Sequence, residues 1–273
     1  MQAAEKYQAC VQALAQYAEE AGFEHTVIGL SGGIDSSVVA AMCVDAFGAD
    51  YVHGVLLPGP YSSDHSYDDA LELAQNLGVK ADVVSICEPF EAFESVLARA
   101  CGGELKGLAA ENTQARCRMV CLMALSNAHG WMLVNTGNRS EACMGYSTLY
   151  GDTAGAFAPI GGLYKTDVYA VGRWRNAEAE RAGKVPPIPE RVFTKPPSAE
   201  LAPGQEDEKS LGIDYATLDK ILIAQVEQGL STRESAVAAG VSEVLAARVA
   251  HTVASYAFKR AQEPPFPEAE FYK

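Results

Sequence analysis

Residues 29–37 read Gly-Leu-Ser-Gly-Gly-Ile-Asp-Ser-Ser, and they join the β-branched run 26–28 to the helix-forming run 38–42. A strand, a glycine-rich turn and a helix in this order are typical of an anion-binding site. Glycines without a Cβ let the chain turn tightly and bring backbone N–H groups against a phosphate. Ser36 and Ser37 stand where we expect the helix to begin, and their hydroxyls would add donors to its free N–H groups. The stretch therefore predicts a phosphate-binding turn, formed by Gly29, Leu30, Ser31, Gly32, Gly33, Ile34, Asp35, Ser36 and Ser37.

Asp35 is the unusual member of this turn. A carboxylate beside a bound phosphate is repulsive unless a cation lies between them, so we interpret Asp35 as a Mg²⁺ ligand. The turn lacks the spacing of the common Gly-x-x-x-x-Gly-Lys-Ser/Thr phosphate loop and of the Gly-x-Gly-x-x-Gly dinucleotide motif. The alternative is a serine-capped helix that follows a glycine turn and binds nothing.

The composition bounds the class of protein. The chain has 273 residues, 48% of them apolar and 21% charged, which is typical of a folded protein with a substantial core. Its 21 basic and 35 acidic side chains give a net charge of −14, which argues against nucleic acid and anionic lipid as partners. The sequence has no long apolar run and no signal-peptide pattern at its start, so we expect a cytoplasmic protein without membrane partners. Its 7 cysteines include no Cys-x-x-Cys pair, which predicts reduced thiols.

Predicted strands and helices alternate along the first half of the chain. This alternation indicates an α/β fold in a single domain over residues 1–273, with a doubly wound parallel sheet flanked by helices. The predicted strands are 26–30, 51–57, 80–86 and 131–135, and the predicted helices are 2–21, 36–47, 67–77, 109–129, 215–228, 231–239 and 242–260. Parallel sheets bind ligands at the carboxyl ends of their strands. We therefore expect the turn at Ser31, the loop after Leu57 and the loop 136–149 to meet in one crevice.

Prolines and charges mark residues 195–210. Six prolines between Val185 and Pro203 exclude a continuous helix, and the charged run 205–209 follows. We interpret 195–210 as a mobile surface segment and a candidate lid over the site.

Five further motifs narrow the family. They are Glu-Asn-Thr-Gln-Ala-Arg-Cys-Arg-Met at 111–119, Thr-Gly-Asn-Arg-Ser-Glu at 136–141, Leu-Tyr-Gly-Asp at 149–152, Leu-Tyr-Lys-Thr at 163–166 and Lys-Pro-Pro-Ser-Ala-Glu-Leu at 195–201. Together with the turn they resemble NAD synthetase over residues 25–262. The resemblance implies the fold of the pyrophosphate-loop ATP pyrophosphatases, also called adenine nucleotide alpha hydrolase-like. It is stronger to the synthetase half of glutamine-dependent enzymes than to the compact ammonia-dependent type.

The resemblance also implies a two-step reaction. The nicotinate carboxylate of deamido-NAD attacks the α-phosphate of ATP, giving an acyl-adenylate and pyrophosphate, and ammonia then displaces AMP to leave the amide of NAD. No glutaminase-like segment precedes the turn in this sequence, so the expected nitrogen source is free ammonia or ammonia from a separate glutaminase. A homodimer is expected by resemblance, and the apolar helix 109–128 is compatible with an interface or with a core helix.

The resemblance assigns roles to residues outside the turn. It implies that Glu141 joins Asp35 as a Mg²⁺ ligand and that Lys165 binds phosphate in catalysis. It further implies that Thr136 and Ser198 contact ATP and that Arg116, Phe258 and Lys259 contact deamido-NAD. A helix-starting carboxylate and a solvated surface lysine are the alternatives for Glu141 and Lys165.

Some residues near these motifs need separate treatment. Leu149 and Ala156 depart from the compact enzymes, which carry a lysine and an aspartate at these positions. We interpret Arg118 as a structural neighbour of Arg116, and Lys195 as a second candidate for phosphate binding. Ammonium must lose a proton before it attacks, so a carboxylate near the acyl carbon is needed, and Asp152 is our candidate catalytic residue for this step.

Two other functions stay open at this point. One is a different adenylating amidotransferase with the same turn, such as the ATPase domain of a GMP synthetase. The other is a nucleotide-binding module that has lost catalysis.

Overall fold

The computed structural model describes residues 1–272, and it contains one parallel sheet. The strands lie in the order β3-β2-β1-β4, so the direction of winding reverses between β1 and β4. Helices cover both faces, which confirms the predicted α/β fold with a doubly wound parallel sheet. All four predicted strands are present, each shorter than predicted: β1 (Thr26–Gly29), β2 (Val52–Leu56), β3 (Lys80–Val83) and β4 (Met132–Leu133).

Thirteen α-helices are assigned within residues 1–272. They are α1 (Ala3–Ala21), α2 (Ile34–Phe47), α3 (Asp64–Leu77), α4 (Cys87–Cys101), α5 (Leu108–His129), α6 (Arg139–Met144), α7 (Lys165–Arg181), α8 (Glu190–Thr194), α9 (Asp207–Leu211), α10 (Tyr215–Leu222), α11 (Thr232–Ala239), α12 (Glu243–Ser255) and α13 (Ala257–Arg260). A 3₁₀ turn at Ala49–Tyr51 precedes β2, and a π-helical turn at Ile223–Glu227 continues α10.

Several helices differ from the sequence-based expectation. The segment 136–149 is not a continuous loop, because α6 lies within it. A signal for α6 was present in the sequence, since Asn138 is its N-cap and accepts a hydrogen bond from the Glu141 N–H three residues later. The helices α4 and α7 were not predicted either. The segment 195–210 is not entirely at the surface, because α9 begins there and Asp207 is only 4% exposed.

Alternate residues of β1 point to opposite faces of the sheet. Ile28 packs in the cluster formed with α1, α2, α3 and α7, whereas Val27 packs in the cluster formed with α4 and α5. Burying such a side chain stabilises the fold by about 1.5–3 kcal/mol relative to leaving it exposed. The two clusters fix β1, and with it the turn that follows its carboxyl end.

A third cluster attaches the last helices to the site. Leu218 of α10 and Val249 of α12 pack with Met144 at the end of α6 and with Tyr164, the residue before α7. This packing holds the amino-terminal ends of α6 and α7 in place beside the sheet. No individual helix within 1–272 is long and apolar enough to cross a membrane. Helices α11 and α12 reach that length and apolar composition only as a pair, and the chain bends by 119° between them.

Candidate active site

A cavity of about 350 Å³ lies at the carboxyl ends of the strands. Ser31 after β1, Leu57 after β2 and Thr136 after β4 all line it, as expected from the parallel sheet. The predicted residues that line it within the turn are Gly29, Leu30, Ser31, Gly33, Ile34, Asp35 and Ser36. The sheet therefore assembles one crevice from three loops that are far apart in the sequence.

The turn is held by its own serine hydroxyls. Helix α2 begins at Ile34 rather than at residue 36, with Gly33 as its N-cap. The Gly33 N–H donates to Ser31 Oγ at 3.2 Å, and Ser31 Oγ lies 3.0 Å from Ser36 Oγ. Ser37 lies outside the cavity lining, and its hydroxyl donates to the Gly33 carbonyl at 2.7 Å. Ser31 and Ser36 thus shape the turn, while Ser37 stabilises the first turn of the helix.

Gly32 has the left-handed conformation that the predicted tight turn requires, and it has a second reason to be glycine. Its φ is +74°, and a Cβ on it would lie 2.1 Å from the Ser66 carbonyl oxygen of α3. Gly32 is also buried and does not line the cavity. Glycine at this position therefore allows both the left-handed turn and the close packing of the turn against α3.

Lys165, Asp35 and Glu141 form one charged group at the cavity wall. Lys165 Nζ lies 2.6 Å from Asp35 Oδ2 and 2.9 Å from Glu141 Oε1, and the Lys165 side chain is 3% exposed. Asn138 Nδ2 donates to Asp35 Oδ1 at 2.9 Å. Each member comes from a helix amino terminus: Asp35 from α2, Glu141 from α6 and Lys165 from α7. A solvated surface lysine is thereby excluded for Lys165.

Burial and charge set the protonation of this group. Burial opposes the charged form of Lys165, but the adjacent Asp35 and Glu141 carboxylates outweigh it and raise the lysine pKa. Desolvation raises the pKa of Glu141 to about 7, against the attraction of Lys165 and with the help of repulsion from Asp35 and Asp207. Lys165 therefore stays protonated at neutral pH, while the protonation of the Glu141 carboxyl changes near pH 7.

The donor set at this wall fits a Mg²⁺ ion that also binds phosphate. Asp35 and Glu141 converge on the point that the Lys165 ammonium now neutralises. The described residues contain no group of three or more His, Cys, Asp or Glu side chains arranged to hold a metal by themselves. Mg²⁺ commonly takes one or two carboxylates and completes its coordination with substrate phosphates and water. The pair fits that pattern, and it does not fit a site built from protein ligands alone.

Asp219 supports this group from below and was missed in the sequence. It is 2% exposed, lies on α10, and accepts a hydrogen bond from the Thr166 N–H in the first turn of α7 at 2.8 Å. Desolvation raises its pKa, while hydrogen bonds from Ser140 and Thr166 oppose the shift. Ser140 Oγ in turn accepts from the Lys165 N–H at 2.9 Å. No sequence motif marked Asp219, because its role depends on packing between α6, α7 and α10.

Asp152 faces the cavity from the loop that follows α6. Its Oδ1 accepts a hydrogen bond from the Thr148 N–H at 2.7 Å, and its backbone carbonyl accepts one from Asn135 Nδ2 at 2.8 Å. The residue keeps an exposed surface in the cavity, yet the protein atoms crowded around the carboxyl raise its pKa to about 6 by desolvation, against the hydrogen bond from Thr148. Asp152 is therefore a carboxyl group whose protonation changes near neutral pH.

The segment that follows α8 closes one side of the cavity. Ser198 lines it together with Thr136, and the Ser198 hydroxyl donates to the Gln205 carbonyl at 2.6 Å. Lys195 also lines the cavity, but its Nζ contacts Asp69 Oδ2 at 2.9 Å and Ser66 Oγ at 3.1 Å. The buried Asp69 carboxylate is shared with Arg191, whose Nε lies 2.7 Å from Asp69 Oδ1, so Lys195, Arg191 and Asp69 together keep one positive charge.

The residues predicted to contact deamido-NAD lie outside the cavity. Arg116 is exposed on α5, and its Nε donates to the Leu149 carbonyl at 3.2 Å. Phe258 is 55% exposed, and Lys259 Nζ donates to the carbonyls of Gly145 and Ser147 at 2.8 and 2.6 Å. Arg116 and Lys259 therefore both donate to carbonyls of the loop 145–149, part of which lines the cavity.

Arg118, interpreted from sequence as a structural neighbour, does line the cavity. Its Nε donates to the Leu57 carbonyl at 3.0 Å. Desolvation lowers its pKa, and the charge of Glu200 acts in the opposite direction. The residue supplies a cationic group beside the loop after β2.

Comparison with known proteins identifies relatives along most of the chain. The family model described as NAD synthase matches residues 6–263. The glutamine-dependent NAD(+) synthetase of Thermotoga maritima is 46% identical over 232 residues, which cover 85% of this chain and 39% of that protein. The enzyme of the same name from Rhodobacter capsulatus is 44% identical over 266 residues, covering 96% of this chain and 48% of that protein. The chain thus spans less than half the length of these curated relatives.

Solved structures give the same picture. The structure of the glutamine-dependent NAD+ synthetase of Acinetobacter baumannii, in complex with ADP, is 36% identical in sequence with a TM-score of 0.69. The match covers 98% of this chain and 47% of the Acinetobacter chain. Two shorter neighbours are covered almost completely. The NMN synthetase of Francisella tularensis is 29% identical with a TM-score of 0.76, and the NH3-dependent NAD synthetase of Campylobacter jejuni is 26% identical with a TM-score of 0.73; each comparison covers 95% of this chain and 96% of the other.

Proposed function

Because the chain belongs to the NAD synthase family, we propose that it catalyses the ATP-dependent amidation of deamido-NAD to NAD, through an acyl-adenylate and with ammonia as the immediate nitrogen donor. The observation that carries this proposal is the ammonium of Lys165 held between Asp35 and Glu141 beside the serine-rich turn. A cation and two carboxylates next to backbone donors suit a reaction in which pyrophosphate leaves an α-phosphate.

The first step brings two anions together. A carboxylate oxygen of the nicotinate ring attacks the α-phosphorus of ATP, and the bond from that phosphorus to the bridging oxygen of pyrophosphate breaks. Negative charge then grows on the leaving pyrophosphate. Lys165 Nζ is positioned to neutralise it, and the N–H groups at the amino terminus of α2 donate to the phosphate oxygens. Thr136 and Ser198, which both line the cavity, would orient the adenosine and the phosphates.

Asp35 and Glu141 would hold Mg²⁺ in the presence of nucleotide. Bound there, the ion would neutralise phosphate charge and polarise the reacting phosphoryl oxygens. Lys165 Nζ would then exchange its contacts with Asp35 and Glu141 for a contact with phosphate, and it would keep its positive charge. In the free protein the Asp35 and Glu141 carboxylates raise the pKa of Lys165, and in the complex the negative charge of the phosphate would take over that role.

The second step requires a neutral nitrogen nucleophile. We propose that Asp152 attracts ammonium into the cavity and accepts one of its protons. Ammonia then attacks the carbonyl carbon of the adenylate, the bond to the AMP oxygen breaks, and the amide remains after loss of a second proton to AMP or water. A carboxylate with a pKa of about 6 is mostly ionised at neutral pH and still a usable proton acceptor.

Assembly and location follow as further parts of the proposal. We propose a homodimer that covers the exposed apolar side chains of α4 and α5, among them Val96 at 72% and Val120 at 64% exposure. A separate glutaminase is the proposed source of ammonia when free ammonium is scarce, and the proposed location is the cytoplasm. Light scattering that gives a stable monomer would contradict the dimer.

The test of function uses the purified chain with ATP, Mg²⁺ and deamido-NAD, with either ammonium or glutamine as nitrogen donor. We expect NAD, AMP and pyrophosphate to form in equal amounts with ammonium alone. Xanthosine monophosphate and nicotinate mononucleotide serve as competing acceptors, the second because a structural neighbour is an NMN synthetase. Greater turnover of either acceptor would overturn the proposed substrate, and nucleotide binding without pyrophosphate release would indicate a silent binding module.

A further inference from the structure

Glu200 has an uncommon backbone conformation. Its φ is +49°, and among residues 1–272 the only other non-glycine residue with positive φ is Tyr150. The left-handed region is unfavourable for a glutamate, because its Cβ comes too close to the following carbonyl oxygen. Such a conformation persists only where surrounding contacts compensate for it, and it often marks a functional position.

The Glu200 side chain makes the compensating contacts on α3. Its Oε2 accepts a hydrogen bond from the Ser63 N–H at 3.1 Å, and its Oε1 accepts bonds from the hydroxyls of Ser63 and Ser66, each at 2.8 Å. Ser63 is the N-cap of α3, so the carboxylate lies at the positive end of the helix. These are charge-assisted hydrogen bonds to a 14-residue helix, and they tie the segment to the body of the protein.

Bonds within the segment transmit this anchor to Ser198. The Glu200 N–H donates to Ser198 Oγ at 3.1 Å, and Ser198 Oγ donates to the Gln205 carbonyl at 2.6 Å. The Leu201 N–H donates to Gln205 Oε1 at 2.8 Å, and the Leu201 carbonyl accepts from Gln114 Nε2 of α5 at 2.9 Å. The position of the Ser198 hydroxyl in the cavity wall therefore depends on the placement of Glu200.

The same turn of α3 also contacts the phosphate-binding turn. The Ser66 carbonyl lies where a Cβ of Gly32 would be, and Ser66 Oγ contacts both Glu200 and Lys195. Ser66 thus adjoins the turn on one side and the segment on the other. A change in the packing of the phosphate-binding turn or of the segment would therefore alter the first turn of α3.

We propose that Glu200 is a positioning residue that anchors the segment 195–206 onto the amino terminus of α3, and so places Ser198 in the wall of the cavity that the phosphate-binding turn also lines. The inference rests on the proposed function for its kinetic consequence, because Ser198 lines the cavity in which ATP would bind. Its structural consequence, an anchored segment in the free protein, is independent of any activity.

The first test is hydrogen–deuterium exchange of the free full chain, with Glu200→Ala compared with Glu206→Gln. Glu206 is on the same segment, but its carboxylate pairs at the surface with Lys209. We expect the backbone amides of 200–202 and 204–207 to exchange roughly tenfold faster or more in Glu200→Ala, because the charge-assisted bonds that anchor the segment to α3 are lost. The amides of α3 distant from its first turn should be unchanged. Exchange in Glu200→Ala no faster than in Glu206→Gln would overturn the proposal.

Glu200→Gly separates the carboxylate from the backbone strain. Glycine adopts positive φ freely, so this variant removes the strain together with the carboxylate. We expect fast exchange in Glu200→Gly as well, because the anchor is lost. Protection equal to that of the original chain would show that only backbone conformation matters, which contradicts the proposal. Glu200→Asn, which tolerates positive φ but is too short to reach α3, gives the same readout if the alanine variant folds poorly.

The second test is kinetic and uses Ser66→Ala and the double variant with Glu200→Ala. We expect the KM for ATP in pyrophosphate exchange to rise about tenfold in Glu200→Ala with a smaller change in kcat, and the double variant to add little to that rise, since the two side chains share one interaction. Additive effects of the two substitutions would contradict the shared anchor. An original chain that makes no NAD would refute the proposed function, while the exchange experiment would still decide the role of Glu200.

Discussion

Ser140 and Asp219, which are 79 residues apart in the chain, share a hydrogen bond of 2.5 Å from the serine hydroxyl to the buried carboxylate. Ser140 precedes Glu141, and its oxygen also accepts the bond from the Lys165 N–H. One carboxylate on α10 therefore orients the starts of α6 and α7, two of the three helices that carry the charged group. The catalytic charges are arranged by a residue that does not itself line the cavity.

Replacement of Asp219 by alanine should damage both stability and adenylation. Ser140 and Thr166 would lose their acceptor, which costs about 1–3 kcal/mol for a buried donor. Lys165 and Glu141 would then be less well placed, so pyrophosphate exchange should fall at least about tenfold at saturating substrates. Chemical denaturation measures the loss of stability, and the rate of pyrophosphate exchange measures the loss of adenylation.

Asp214→Ala is the matched control on the same helix. Asp214 is exposed and caps α10 by accepting the Thr217 N–H at 2.8 Å. Its loss should cost about 1 kcal/mol of stability and leave the kinetics unchanged. Equal kinetic losses in both variants would mean that Asp219 acts only by holding α10 together.

The parts of the fold that could be predicted are those with local signals. The β-branched run, the glycines and the serines of 26–37 identify the strand, turn and helix because each property acts within a few residues. The parallel sheet then predicts which loops meet, and Ser31, Leu57 and Thr136 do line one cavity. Helix α7 was missed, since its charged and aromatic residues give no clear apolar period.

The parts that could not be predicted depend on contacts between distant segments. Nothing local to Asp219 or Glu200 indicates that one supports Lys165 and the other reaches α3. Gly32 was recognised as necessary for the tight turn, but its close packing against Ser66 depends on a residue 34 positions away in the sequence. The roles of Arg116 and Lys259 remain predictions, because these residues lie outside the cavity.

Lys165→Met should expose the repulsion between Asp35 and Glu141. Removing the partner of two partly buried carboxylates costs about 3–5 kcal/mol at neutral pH. The loss should be smaller at lower pH, because protonation of Glu141, whose pKa is about 7 with Lys165 present, removes one of the negative charges. NAD formation should fall by a factor of about 10³ or more, since a charge that stabilises the leaving group is absent.

Mg²⁺ provides a direct check on that interpretation. Millimolar Mg²⁺ should raise the Tm of Lys165→Met more than that of the original chain, because the ion can occupy the place of the ammonium. Lys184→Met, an exposed lysine after α7, is the control and should behave as the original chain does. If the Tm of Lys165→Met changed with neither pH nor Mg²⁺, this would argue against close pairing of the Asp35 and Glu141 carboxylates.

Gly32→Ala should disrupt the turn more than its conformation alone predicts. The left-handed φ of +74° and the approach of 2.1 Å to the Ser66 carbonyl act together. We expect a loss of about 3 kcal/mol or more, with weakened ATP binding. Gly22→Ala is the matched control, because Gly22 has a φ of +76° but no atom within 4 Å of the point that an added Cβ would occupy. It should cost only about 1–2 kcal/mol, and equal losses in the two variants would show that α3 yields to the added methyl group.

Because Asp152 and Glu141 lose their charge over different pH ranges, the two half-reactions should respond differently to pH. Its pKa of about 6 means that the carboxylate is lost as the pH falls through 6, so amide formation should decline below that value. Glu141, with a pKa of about 7, should instead raise the Mg²⁺ concentration needed for pyrophosphate exchange as the pH falls. Asp152→Asn keeps an oxygen that can accept the Thr148 N–H but cannot take a proton from ammonium. This variant should retain pyrophosphate exchange at every pH and lose most NAD formation, and loss of both activities would remove the proposed role from Asp152.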